Sequence, residues 1–432
     1  MNPKRAARPI YAWYGDDFTG STDVLEALGV HGVESVLFTH TPDARDRAAF
    51  SHCRAIGIAG ESRSRSPQWM SRNLPAIFRT MRRIGAPVNH YKVCSTFDSS
   101  PSVGSIGRAM EVGRAVFGRR AVLIVVGAPR LGRAVVYGNL FAEAEGAMYR
   151  IDRHPTMRRH PITPMNEADL RLHLARQTAL HIGLVDATAF QADAVERQFR
   201  AQGDAGAEAI VFDGFSNAML EETARIIWRN ARKRPVFAVG SSGLTSGLLL
   251  HWRSIGLVGE AKAPAPAKPA DRLLVLSGSC SPITAKQIHR AKQLGFATWR
   301  LHGSPPSHTL AANALRALQR GESVVLYTAL GPQPAGDQRY ERISSRFGDF
   351  LRRLILESGV GRVLIAGGDT ATHLVKQLKL DALTFAASLA PGVPLCTGHA
   401  KHSPLHGLEL ALKGGQMGGE DFFVEVRDGR AG

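Results

Sequence analysis

Short apolar runs of strand length alternate with amphipathic stretches of helix length along most of this chain. The runs "YAWYG", "SVLFTH", "AIGIAG", "HYKVCSTF", "AVLIVVGA", "HIGLVDA", "AIVFDG" and "VFAVGSS" follow one another in order. Between most of them lie stretches such as "SPQWMSRNLPAIFRTMRRIG" and "NAMLEETARIIWRNARKR", whose apolar positions recur at helical spacing. Strands that alternate with helices form mostly parallel sheets covered by those helices, so the fold class is α/β. One interval departs from the plan: "RAVVYGNLFAEAEG" is expected to form an irregular or hairpin excursion.

The alternation breaks once more, at "GEAKAPAPAKPADR", residues 259–272. Ala, Pro and Lys dominate there without periodicity, as in a semi-extended linker. Strand and helix signals then restart with "RLLVLSGSC", "ATWRLHG", "SVVLYTALG" and "RVLIAGGDT". The expected organisation is an N-terminal α/β domain over 1–258, a linker over 259–272 and a C-terminal α/β domain over 273–432.

Composition narrows the function classes. The chain has 432 residues, 44% hydrophobic and 21% charged, an ordinary soluble globular composition. Lys and Arg number 54 against 37 Asp and Glu, a net charge of +17. The basic residues are scattered over polar helix faces without a block of like charge, which favours small anions over nucleic acid. The four cysteines are far apart with no CxxC pair, and no apolar run approaches a bilayer span. A cytoplasmic protein is expected, with no membrane and no nucleic acid among its partners.

Two kinds of turn carry chemistry. In "YAWYGDDFTGSTDVLEALG", Asp16 and Asp17 follow an apolar strand and precede a helix. Carboxyl ends of strands collect ligands in α/β sheets, although acidic groups at a helix start also serve its dipole alone. The second kind is rich in glycine: "LSGSCSPIT" with Ser277, Ser279 and Ser281, "AGGDTATHL" with Gly367, Gly368, Asp369 and Thr370, and "LKGGQMGGEDFF" with Gly415 and Gly418. Three such turns in one domain point to phosphate or nucleotide binding. No GxxxxGK[ST], GxGxxG, GxSxG or HExxH is present, and "GAPRLGR" has Arg133 where a P-loop lysine belongs. His399, His402 and His406 share a Pro/Gly loop without a partnering Cys or carboxylate, so no metal site is assigned.

Together these motifs resemble the four-carbon acid sugar kinase family over nearly the whole chain. "GDDFTGSTD" resembles its N-terminal signature, "GESRS" its Ser-Arg segment, and "YKVCSTFDSSP" with "GSIG" its substrate stretch. "SGSCSPIT", "GGDT" and "LKGGQMGGEDFF" resemble its GSCS, GGET and KSGNFG elements, with Asp369 for Glu and Ser105 for a family Asn. The resemblance implies an N-terminal domain that binds an acid sugar and a C-terminal domain that binds ATP, with Mg²⁺. It carries substrate binding to Asp17, Arg63, Lys92, Ser95, Thr96, Phe97 and Asp98, and ATP binding to Ser279, Ser281, Gly367, Gly368, Asp369, Thr370, Gly415 and Gly418.

Transfer of a phosphoryl group to a hydroxyl requires a proton acceptor, cations for the acid and a phosphate cradle. Asp17 is the expected acceptor, with Asp98 its rival, Asp16 structural, and Arg63 and Lys92 on the carboxylate. The expected activity is ATP-dependent phosphorylation of the terminal hydroxyl of a tetronate or 3-oxo-tetronate. A non-catalytic regulator binding a sugar acid and nucleotide is the alternative. The sugar's stereochemistry, its oxidation state and the oligomeric state, a homo-oligomer included, stay open.

Overall fold

The computed structural model describes residues 7–160, 162–191, 194–261, 266–301, 306–331 and 339–430, with the side chains of 339–346 and 369 excepted. Its strands, in chain order, are β1 (Tyr11–Gly15), β2 (Ser35–Phe38), β3 (Ala55–Ala59), β4 (Val88–Lys92), β5 (Val122–Val125) and β6 (Arg133–Val136). There follow β7 (Asn139–Ala144), β8 (Ala147–Arg150), β9 (Ile182–Val185), β10 (Ala209–Phe212), β11 (Val236–Gly240) and β12 (Leu274–Ser277). The last six are β13 (Ala297–Arg300), β14 (Val324–Tyr327), β15 (Arg362–Ala366), β16 (Ala382–Ala390), β17 (Val393–His399) and β18 (Glu409–Lys413).

The chain divides into two compact units. The first comprises Met1–Asp16, His31–Glu34 and Thr41–Ala261. Seven of its strands run parallel in the order β3-β1-β4-β11-β5-β10-β9. Gly15 lies level with Ala59 and Lys92, and Lys92 with Gly240. That register brings the segments after β1, β3, β4 and β11 to one edge, where parallel sheets hold ligands. Tyr11, Trp13, Tyr14 and Tyr91 are buried, and Tyr14 stacks on Tyr91 with ring centroids 5.8 Å apart. The departing interval forms the hairpin β6–β7, extended by β8 into a three-stranded antiparallel sheet.

The second unit comprises Asp17–Val30, Ser35–His40 and Lys262–Gly432. Its strands run in the order β13-β14-β12-β15-β18-β17-β16-β2. The first five are parallel; β17, β16 and β2 add antiparallel pairings. Its core gathers Leu273, Val275, Ile288, Phe296, Leu364, Leu395 and Phe422.

The sequence assigned residues 1–258 to one domain, whereas the helix Phe18–Val30 and β2 pack with the second unit. Long-range pairing dictates this. Thr39 N donates to Asp381 O at 3.1 Å beside the β2–β16 pairing. Buried Glu26 accepts from Gly392 N at 2.7 Å and from the Ser388 hydroxyl. The chain passes from the first unit to the second at the Asp16–Asp17 peptide bond. Of the expected linker, 262–265 lie outside the described residues. Its later part packs on the second unit: Ala270 N donates to Arg427 O at 2.8 Å, and buried Arg362 donates to Lys268 O at 2.7 Å.

Candidate active site

At the carboxyl edge of the first unit, Asp16 leaves β1 and its N–H donates to Lys92 O at 2.9 Å. Arg63 follows β3 on a short 3₁₀ turn that begins at Ser62. Buried Ser62 hydrogen-bonds the Tyr91 hydroxyl at 2.8 Å, which fixes the turn to the strand layer. The Arg63 guanidinium then grips Asp16, Nε at 3.3 Å from Oδ2 and Nη2 at 3.0 Å from Oδ1. Arg63, expected on the substrate's carboxylate, makes a two-pronged contact here with the carboxylate of Asp16. Lys92 ends β4, is buried, and donates from Nζ to Val93 O at 3.1 Å.

The segment after β4 folds back on itself through Phe97, whose φ of 56° is left-handed and uncommon for an aromatic residue. Ser95, Thr96, Phe97 and Asp98 are all buried. The Thr96 hydroxyl donates to Asp98 Oδ1 and lies 2.9 Å from Cys94 Sγ. Burial pushes the Asp98 carboxyl up, but Arg63, His160 and the Thr96 hydrogen bond outweigh it and hold the group below the usual carboxylate range. Behind the loop, Ser99 Oγ lies 2.9 Å from His173 Nε2, and the Phe97 and His173 rings pack 6.1 Å apart. Burial pushes His173 down to about 4, so it is neutral at physiological pH. His160 and His173 were not singled out from sequence; they lie 62 and 75 residues beyond Asp98 (160 − 98 and 173 − 98), and only tertiary folding joins them.

In the second unit the three glycine-rich turns converge. Ser279 Oγ accepts from Ser281 N at 3.2 Å and from the Thr284 hydroxyl at 3.0 Å, while Ser281 caps the helix Pro282–Gln293. A Cβ at Gly415 would lie 2.7 Å from Ser279 Oγ, and one at Gly367 (φ 112°) 3.3 Å from Ser279 N. These backbones approach closely enough that a side chain at either glycine would disturb the turn. Gly367 also caps the helix Gly368–Leu378, whose first turn holds buried Thr370. Asp369 is in that helix; its side chain is outside the described residues. Gly418 is left-handed and packs on Phe422, so its part is in the loop's shape.

Asp17 belongs to this second group. Its Oδ1 accepts from Gly20 N at 2.7 Å and its Oδ2 from the Thr19 hydroxyl at 2.9 Å, which caps the helix Phe18–Val30. The carboxylate is buried, and Oδ2 would be 3.4 Å from a Cβ at Gly368. The aspartate doublet is thus divided: Asp16 with Arg63 in one unit, Asp17 beside the Gly367–Gly368 turn in the other.

Two family models match the chain, a sugar-binding N-terminal domain over residues 11–248 and a nucleotide-binding C-terminal domain over 274–423. The chain belongs to the four-carbon acid sugar kinase family. Within it, the 3-oxo-isoapionate kinase of Paraburkholderia graminis is 41% identical, over 98% of this chain and 94% of its own. The 3-oxo-tetronate kinase of Methylobacterium radiotolerans is 31% identical, over 96% of this chain and 97% of its own. A crystal structure of a Salmonella typhimurium LT2 protein matches with a TM-score of 0.77 at 26% identity, covering 97% of this chain and 98% of that one. The mostly parallel α/β architecture is therefore that of the family.

Proposed function

We propose that this sugar-acid kinase transfers the γ-phosphoryl group of ATP to the terminal hydroxyl of a short 3-oxo sugar acid of the tetronate or isoapionate kind. The observation that carries the proposal is the convergence of Ser279, Gly367 and Gly415 at one place in the second unit. Backbone N–H groups at such turns and at the start of the helix Gly368–Leu378 suit phosphate oxygens. Among the described residues no group of three or more His, Cys, Asp or Glu is placed to hold a metal. Mg²⁺ would arrive with the nucleotide's phosphates and would neutralise their charge during transfer.

In the first unit, Arg63 and Lys92 supply positive charge for the sugar's carboxylate, and the ionised Asp98, oriented by Thr96, takes its hydroxyls. Asp17 is the proposed acceptor of the attacking hydroxyl's proton, its geometry set by Gly20 and Thr19. The proposed setting is the cytoplasm, where thiols such as Cys53, Cys94, Cys280 and Cys396 stay reduced. No described helix is long and apolar enough to cross a membrane.

An ADP-release screen tests the reading, with the 3-oxo-tetronates, 3-oxo-isoapionate, and D- and L-threonate and erythronate as acceptors. The 3-oxo acids are expected to give the highest kcat/KM. A chain that binds ATP and sugar acid yet releases no ADP with any acceptor would be the non-catalytic regulator instead.

A further inference from the structure

Lys413, the last residue of β18, is fully buried and meets no carboxylate among the described residues. Its Nζ donates to Gly414 O at 2.9 Å, to Gly415 O at 3.2 Å and to Thr284 Oγ1 at 3.2 Å. Thr284 in turn donates to Ser279 Oγ and lies 2.9 Å from Gly415 O. From the same helix, buried Gln287 donates from Nε2 to the carbonyls of Met417, Gly418 and Gly419 at 3.1, 3.1 and 2.8 Å. Two side chains, Lys413 and Gln287, thus hold five carbonyls of the 414–419 loop. In a trans peptide the N–H of the following residue points the opposite way, so the clamp turns a row of N–H groups outward.

We propose that Lys413 is a positioning residue for the nucleotide: its N–H groups shape the 414–419 loop that receives the phosphates, and phosphate charge draws a proton onto its amine. This rests on the reading of the second unit as the ATP site. A charged ammonium has three N–H donors for the three acceptors present; the neutral amine has two. Burial pushes Lys413 down to about 7, which leaves the amine part-protonated near neutrality and ready to respond to a nearby anion. The elements packed against β18 bring Arg362 (paired with Glu409), His399, Asp23, Glu26 (bonded to Ser388 and Gly392), His373 and Lys376, and the helix of the last two also carries Asp369, whose side chain is outside the described residues. The helix Pro282–Gln293 adds Lys286, paired with Glu420. None of these is within ion-pair distance of Nζ among the described residues, so phosphate would supply the missing negative charge.

Calorimetric titration of the full chain with ATP and saturating Mg²⁺, at pH 7.5 in two buffers of different ionisation enthalpy, tests this. Wild type is expected to bind with net proton uptake. Lys413→Met is expected to weaken ATP binding by about tenfold or more and abolish the uptake, with sugar-acid affinity within about twofold of wild type. Lys413→Arg, charged at every working pH, should recover affinity without uptake. Thr284→Val, which keeps the side-chain shape but loses the bond to Ser279, should weaken ATP binding with uptake retained. It decides the matter if the Met variant does not fold. Unchanged ATP affinity in Lys413→Met or Thr284→Val, or proton uptake that persists in Lys413→Met, would overturn the proposal. A wild-type chain that binds no ATP would overturn the nucleotide reading and this inference with it.

Discussion

Arg63 and Asp16 form a two-pronged ion pair, 3.0 and 3.3 Å long, with both side chains mostly shielded from water. The pair holds the guanidinium over the edge where Asp98 also lies within its field. Arg63→Ala should raise KM for the sugar acid by about tenfold or more, with KM for ATP changed less than about twofold. Asp16→Ala should shift the same constant in the same direction, because an unheld guanidinium samples more orientations. Steady-state kinetics with each substrate varied in turn is the check; equal effects on both constants would indicate a folding defect.

Asp17 and Asp98 compete for the proton-accepting role, and the structure gives them different surroundings. Asp98 sits among Arg63, His160 and Thr96, which favour its charged form and make it a weaker base. Asp17→Asn should reduce kcat by about 10²–10⁴-fold with ATP affinity retained. Asp98→Asn should act chiefly on KM for the sugar acid. The reverse pattern in rapid-quench and steady-state data would move the base to Asp98.

The second unit draws on residues far from it in sequence. A fragment of 262–432 lacks the helix Phe18–Val30 and β2, so Ser388 and Gly392 lose Glu26 and β16 loses its pairing with β2. An open apolar edge of this kind favours aggregation. Such a fragment should be largely unfolded by circular dichroism and NMR dispersion; a folded fragment that binds ATP would contradict the division into units described above.

Stability should rise with pH between about 4.5 and 7. Burial pushes His90 down to about 3 and His173 to about 4. An unfolded chain takes up protons on both near 6.5, while the folded one refuses them until far lower pH, so acid favours unfolding. Lys413, folded at about 7 against 10.5 unfolded, extends the same sign above neutrality. Asp213 opposes them: burial raises it to about 6, so its contribution is present below 3.8 and lost as pH rises through 6. Two histidines outweigh one carboxyl over the window. Thermal melts across it should show Tm climbing with pH, and a flat or falling Tm would contradict the assignments.

Much of the architecture was legible in the sequence because parallel strands are buried on both faces and read as apolar runs, as "AVLIVVGA" and "RVLIAGG" do. The β16–β17 pair was not, since "ALTFAASLAPGVPLCTGH" is mostly apolar without strict alternation and marks its antiparallel turn by the single Pro-Gly at Gly392. The glycine-rich turns were readable, yet their meeting at Ser279 depends on three separate strands. Lys413 opens the "KGGQMGG" stretch that the sequence marks for its glycines, but its burial at the end of β18 and its bonds to Thr284 come from tertiary folding. The passage of the chain between units at Asp16–Asp17 rests on contacts such as Glu26–Ser388, 362 residues apart, which no local pattern encodes.

The most direct test of the kinase assignment is the ³¹P NMR spectrum of a reaction containing the full chain, Mg-ATP and a 3-oxo sugar acid. The expected spectrum gains ADP and, in equal amount, a phosphomonoester whose phosphorus couples to the two protons of a terminal methylene group. ADP accompanied only by inorganic phosphate, or ATP left intact with every acid supplied, would contradict it.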